Sequence, residues 1–181
     1  MQAAFSSDGI GIRRYRMEDV DALFEAVQES VHELSVWMPW CSESYSRADS
    51  ESFVRTRESE WEMGAHYSFV VYETASGQFL GSVGLNFLNP IHQFANLGYW
   101  VRSSQTRHGI ATTAARLAAR FGLVELGFNR LEIVTAAGHV ASQRVAKKVG
   151  AHCEGVLRKR LVIHGQIHDA VMFSLVVEDL K

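Results

Sequence analysis

Ile10-Gly11-Ile12-Arg13-Arg14-Tyr15 alternates apolar and polar positions with the two-residue period of a strand. Beyond the acidic Glu18 and Asp19, Val20, Leu23, Phe24, Val27 and Val31 recur at three- and four-residue intervals, the period of a helix whose first turn carries acids against its positive dipole end. Ser46-Arg47-Ala48-Asp49 has the spacing of a capping box, and Phe53, Val54 and Trp61 stripe the helix it opens, expected to run to about Met63. From His66 to Val101 the period falls to two in three runs: Tyr67, Phe69, Val71; Phe79, Gly81, Val83, Leu85; Leu97, Tyr99, Val101. Ser76-Gly77 marks a tight turn and Asn89-Pro90 a looser one, so these strands are expected to form an antiparallel meander. Helical spacing returns with Ile110, Ala114, Leu117, Phe121 and Val124, while Arg116 and Arg120 lie off that face. Leu131-Glu132-Ile133-Val134 is a short strand; Ala141, Val145 and Val149 define a helix with Lys147 and Lys148 in its last turn and Gly150 as its stop. Val156 to Ile163 and Ala170 to Val177 are β-branched strands joined by a hairpin loop, His164 to Asp169. The order β-α-α-β-β-β-α-β-α-β-β is that of a single α/β (α+β) domain over 1–181, with its core at about 10–178. Its sheet is expected to be mixed, mostly antiparallel and flanked by helices.

A length of 181 residues fits one domain, with only Pro39 and Pro90 as prolines and no linker or repeat. Hydrophobic residues at 47% and charged residues at 21% exclude a disordered chain. The net charge of -2 lacks the basic excess of a nucleic-acid binder. Cys41 and Cys153 are too few for a disulfide framework and form no CxxC pair. The start, Met1 to Asp8, has no basic segment leading into an apolar run, and nowhere do about 18 apolar residues follow one another, so a cytoplasmic protein without membrane contact is expected. His164 and His168 are four apart, but on a hairpin this is not the one-face geometry of a helix, and no metal site is expected.

Chemistry concentrates where the strand Leu97-Gly98-Tyr99-Trp100-Val101 runs through a polar loop, Arg102 to His108, onto Gly109-Ile110-Ala111-Thr112-Thr113 at the start of a helix. Unpaired N–H groups and the helix dipole favour an anion there, and Gly109 lets the backbone approach it without a Cβ in the way. A diphosphate is the natural ligand for such a turn, although many strand-loop-helix turns hold nothing.

With Thr106-Arg107-His108-Gly109-Ile110-Ala111, the helix His139-Val140-Ala141-Ser142-Gln143-Arg144-Val145-Ala146-Lys147-Lys148-Val149-Gly150, the Trp37-Met38-Pro39-Trp40 segment, Gly98-Tyr99-Trp100 and the closing Gly165 to Leu175, the chain resembles the GCN5-related N-acetyltransferases (GNAT) over nearly its whole length. Within that family it is most similar to the RimJ/RimL-type branch of ribosomal-protein N-terminal acetyltransferases. Thr106 stands where the family's loop has Gln or Arg, and His139 where its helix has Asn. The resemblance implies acetyl-coenzyme A as cosubstrate, with no further cofactor and no metal. Its contacts would come from Tyr99, Trp100, Val101, Arg107, His108, Gly109, Ile110, Ala111, Thr112, His139 and Ser142.

The same resemblance implies direct attack by a primary amine in a ternary complex, with Trp37, Trp40, His92 and Asp169 on the acceptor side. Asn96 occupies the position where the branch often carries Glu as base, so either another group such as His92, His168 or Asp169 takes that part or the acceptor needs little help. Ala146 stands where the wider family has a tyrosine proton donor, which leaves Ser142 as the candidate donor to sulfur. An α-amine of pKa near 8 is roughly a tenth neutral at pH 7 and a lysine at about 10.4 far less, so a weakened base favours an α-amine. The expected acceptor is therefore a protein or peptide N-terminus. A small amine such as a polyamine, amino acid or antibiotic, and a catalytically weak coenzyme-binding protein, stay open as alternatives. Exposed edge strands near the C-terminal end make a homodimer plausible.

Overall fold

The computed structural model describes residues 4–180; Met1 to Ala3 and Lys181, on which parts of the domain range and of the leader reading fall, lie outside the described residues. The alternation at the start forms β2 (Ile10–Arg14), and the helical runs form α1 (Val20–Trp37) and α2 (Arg47–Glu62). Ser46 caps α2 in the expected box, its side chain accepting from the Asp49 N–H. The meander is β3 (Tyr67–Glu73), β4 (Phe79–Asn89) and β5 (Phe94–Val101), followed by α3 (Ile110–Arg120), β6 (Arg130–Ala136), α4 (Val140–Val149), β7 (His152–Ile163) and β8 (Gln166–Leu175). Gly150 ends α4 in the left-handed conformation, at φ 105°.

A further strand, β1 (Ala4–Ser7), pairs with β2 around Asp8-Gly9, both at positive φ (52° and 77°), a two-residue hairpin turn that Asp-Gly favours. The helix α1 runs on past Val31 to Trp37, burying Leu34, so that Trp37 is its last residue. The closing hairpin turns at His164-Gly165, at φ 47° and 77°, and β8 therefore starts at Gln166; His168 and Asp169 lie within a strand, not at a hairpin tip.

The eight strands form one sheet in the order β1-β2-β3-β4-β5-β6-β8-β7, with β1 and β7 at its edges. Every adjacent pair is antiparallel except β5 and β6, which run parallel. Both faces are covered, and successive residues of a strand serve opposite cores. Phe69 and Val71 of β3 pack with Ile110, Ala114 and Ala118 of α3 and Ala146 of α4. Val70 packs with Leu23 and Val27 of α1 and Val54 of α2. Along β5, Leu97, Tyr99 and Val101 belong to the α3/α4 side and Trp100 to the α1/α2 side. Among the described residues no helix is long and apolar enough to cross a membrane.

Candidate active site

β5 and β6 pair only at Phe94↔Arg130, Ala95↔Leu131 and Asn96↔Glu132. Beyond these, β5 stays with β4 as far as Gly81↔Val101, and β6 stays with β8 as far as Ala136↔Ala170. The two strands at the centre of the sheet therefore part. Backbone groups of Leu97 to Val101 that would face β6 lose their strand partners, and in a folded protein such groups need a substitute. The gap opens into a cleft of about 970 Å³ walled by Gly98 to Trp100 on one side and Ile133 to Ala136 on the other. That is the size range of cofactor and ligand sites.

At the C-terminal end of β5 the chain is pinned to α1 before it enters α3. The Arg102 N–H donates to the Leu80 carbonyl at 2.9 Å and the Ser103 N–H to the Ser30 hydroxyl at 2.9 Å. Glu29 accepts from the Arg102 guanidinium and from the Ser104 N–H, and Glu33 accepts from the Ser103 hydroxyl. The Arg102 bond is the main reason that Glu29 titrates near about 2, so it is ionised throughout the neutral range. Arg107 and Gly109 then take left-handed φ values of 68° and 81°, and an added Cβ on Gly109 would meet nothing within 4 Å. The N–H groups of Thr112 and Thr113 both reach the Gly109 carbonyl at 3.0 Å. Those of Ile110 and Ala111 have no carbonyl ahead of them and face outward at the positive end of α3. Thr106 does not join them, since its hydroxyl donates back to the Ser103 carbonyl at 3.0 Å. Glu29→Ala is expected to speed amide exchange at Ser103 and Ser104 at least about tenfold while leaving β3 and β4 protected, as read by hydrogen exchange.

On the α3/α4 side of β5, the Tyr99 hydroxyl donates to the Ser142 carbonyl at 3.0 Å and lies 3.2 Å from the Ser142 Oγ. Burial pushes the Tyr99 phenol up to about 12, so it keeps its proton at neutral pH. One turn earlier, His139 stacks on Trp37 from the end of α1, with ring centroids 4.6 Å apart and planes 3° from parallel. Trp37 also packs on Gly138, where an added Cβ would come within 3.2 Å of its ring. Burial lowers the pKa of His139 and favours the neutral ring.

The α1/α2 side is aromatic above and polar below. Trp40 lies 6.2 Å from Trp100 and 5.8 Å from Tyr45, ring to ring. The Asn96 amide donates to the Asn86 Oδ1 across the β4–β5 pair at 2.8 Å, and both side chains line the cleft. Deeper in, the Arg57 guanidinium is held by Glu60, His66 and the Phe53 carbonyl, and the buried Tyr15 hydroxyl has no hydrogen-bond partner among the described residues. Cys41 is fully buried and its thiol is pushed up, the opposite of an activated nucleophile.

The cleft thus brings together Trp37, Trp40, Asn96, Tyr99, Trp100, His139 and Ser142. Arg107 to Thr112 form the loop and first turn at the end of β5, with Val101 at the strand's last position. Three residues expected near the acceptor lie elsewhere. His92 is in the exposed turn between β4 and β5, its N–H on Asn89. His168 pairs with Leu161 across the β7–β8 ladder, and Asp169 is exposed, accepting the Lys159 N–H at 2.7 Å. A two-residue turn, where a six-residue loop was expected, fixes the last two in the ladder. Sequence reasoning missed Tyr15, Asn86, Arg57 and His66, which reach the cleft only through pairing between strands or across from α2. It also missed Glu29 and Ser30, whose partners lie 73 to 75 residues away.

A family model described as an acetyltransferase (GNAT) domain matches residues 10–152. YdaF of Bacillus subtilis (strain 168), named as a candidate ribosomal N-acetyltransferase, is 28% identical over 174 residues, covering 93% of this chain and 92% of its own. Among solved structures, Mycobacterium smegmatis RimJ in complex with CoA-disulfide is similar at a TM-score of 0.85 and 25% identity, over 94% of this chain and 83% of that one. RimL, a ribosomal L7/L12 alpha-N-protein acetyltransferase in complex with coenzyme A, has the same fold at a TM-score of 0.89 and 19% identity, over 99% and 100%.

Proposed function

Because the chain belongs to the GNAT acetyltransferase family, we propose that it acts as a single-domain enzyme that moves the acetyl group of acetyl-coenzyme A onto the α-amine of a protein or peptide N-terminus. The observation that carries this reading is the parting of β5 from β6 beside the open first turn of α3. The N–H groups of Gly109, Ile110 and Ala111 suit the coenzyme's diphosphate, and the unpaired backbone of Leu97 to Val101 suits the amide-bearing pantetheine arm. The same strand would offer N–H donors to the thioester oxygen as it gains charge. The cleft is open to the α1/α2 side, where an amine can approach the carbonyl carbon. Attack forms the C–N bond, collapse breaks the C–S bond, and the thiolate takes a proton for which the cleft-lining Ser142, beside Tyr99, is the candidate source.

The acceptor class is supported by the names of the relatives, by a broad aromatic wall at Trp40 and Trp100, and by Asn96, an amide that cannot serve as a base. The test is release of free thiol from acetyl-coenzyme A with three acceptor sets: peptides with free N-termini, lysine peptides with blocked N-termini, and small amines. Turnover is expected with the first set. Turnover with small amines alone would move the acceptor to metabolites, and coenzyme binding without turnover on any set would favour a protein that binds but does not transfer.

A further inference from the structure

Direct attack needs something to take the amine's proton, and the cleft-lining ionisable side chains can be taken in turn. Tyr15, Tyr45 and Tyr99 are all pushed upward by burial and are donors at neutral pH. Arg57 is a permanent cation. Asp49 is spent on the cap of α2, accepting from the Ser46 N–H at 2.8 Å and its hydroxyl at 2.7 Å, which holds its carboxyl below the ordinary range. His66 is already committed, its Nδ1 lying 3.1 Å from the Arg57 guanidinium and 3.5 Å from the Glu60 carboxylate.

His139 has none of these commitments. Its backbone closes the turn into α4, with its N–H on the Ala136 carbonyl at 2.8 Å. Its side chain makes no capping bond, and neither ring nitrogen has a hydrogen-bond partner among the described residues. The Trp37 stack fixes the ring plane. Ser142, three residues on, lies on the same helical face and lines the same cleft. Trp37 of α1 stacks on the His139 ring, and burial is the one cause that lowers its pKa, with no charged neighbour contributing.

We propose that His139, its ring stacked on Trp37, is the base that takes the acceptor amine's proton. This rests on the acetyl-transfer reading above. The ammonium N–H bond breaks, its electron pair stays on nitrogen, and the proton passes to a free ring nitrogen of His139. The neutral amine attacks the thioester carbon; on collapse the thiolate leaves and takes a proton from the Ser142 hydroxyl, which recovers one from the newly acylated nitrogen. His139 returns its proton to water, so one ammonium and one thioester become one amide, one thiol and one released proton. Desolvation alone depresses the His139 pKa, so the ring is neutral and ready at pH 7.

The experiment measures kcat and KM against pH for the native protein and for His139→Asn, His139→Gln and His139→Ala, with melting curves and acetyl-coenzyme A titrations of each. The native kcat/KM is expected to show an acid limb, matched by the pKa of the His139 ring read from its imidazole NMR signals in the free protein. In the Asn and Gln variants kcat falls about 100-fold and the limb disappears, whereas a loss carried wholly by a higher coenzyme Kd, with the limb kept, would make His139 a coenzyme contact and overturn the proposal. Added imidazole raises the rate of the Ala variant saturably. A native-like limb in His139→Asn, or a ring pKa that does not match the native limb, overturns the proposal while leaving acetyl transfer standing. Absence of turnover in the native protein over the whole acceptor panel overturns both.

Discussion

Gly109→Glu is expected to raise the Kd for acetyl-coenzyme A at least about 100-fold in calorimetric titration, with the melting temperature lowered by no more than a few degrees. Two effects of the substitution separate cleanly here. Any side chain at Gly109 adopts a left-handed φ of 81°, which costs about 1–2 kcal/mol in a non-glycine residue. No steric term adds to it, because the space around the new Cβ is empty. Gly109→Ala therefore measures the strain alone and should leave coenzyme affinity within about tenfold of native. The glutamate adds a negative charge at the one place where the outward N–H groups of Ile110 and Ala111 are to meet a diphosphate. At about 5 Å and an effective dielectric constant of about 20, each unit of like charge costs about 3 kcal/mol, which is two orders of magnitude in Kd. Gly109→Lys shares the bulk without the repulsion and should fall between the two. Equal affinities for the Glu and Ala variants would remove the diphosphate from this loop.

How much of this could be read along the chain depends on the range of the interactions involved. The capping box at Ser46, the stop at Gly150 and the periods of β3 to β5 are settled within a few residues, and the structure has them where the pattern puts them. Asp8-Gly9 carried a hairpin signal as well, but Ala4 to Ser7 offers only Phe5 as a large apolar side chain, and β1 is formed by its ladder to β2 rather than by its own period. The strand, the loop and the helix start around Gly109 are contiguous, so that part of the site was legible. The cleft was not, because it exists where β5 and β6 part, and that depends on which neighbour each strand keeps. Tyr15 and Arg57 enter it from the far face of the sheet, and His139 becomes distinctive only through its stack on a tryptophan 102 residues earlier. His168 and Asp169 show the converse. Their residue types suit catalysis, yet the turn at His164-Gly165 commits them to a ladder.

Ser142→Ala should lower kcat about 100-fold, equivalent to about 2.7 kcal/mol of barrier, with coenzyme Kd unchanged within about threefold. The hydrogen-bond directions motivate this. Tyr99 has one proton to give, and its 3.0 Å bond commits that proton to the Ser142 carbonyl, so the Ser142 hydroxyl is not obliged to accept from Tyr99 and can aim its own proton into the cleft. A serine hydroxyl does not titrate in the neutral range, so the acid limb of the rate profile should stay in place even as the plateau drops. Tyr99→Phe removes the group that holds the serine backbone and lies beside its hydroxyl; a fall of about tenfold in kcat is expected, because water can replace part of that bond. If both act on one proton, the double variant loses scarcely more than Ser142→Ala alone, and the departure from additivity measures their coupling. Independent losses that multiply would mean that Tyr99 serves the pantetheine arm and Ser142 the sulfur separately. A rise in coenzyme Kd that accounts for the whole loss in Ser142→Ala would make the serine a binding residue, and the proton for sulfur would then have to come from solvent at the mouth of the cleft.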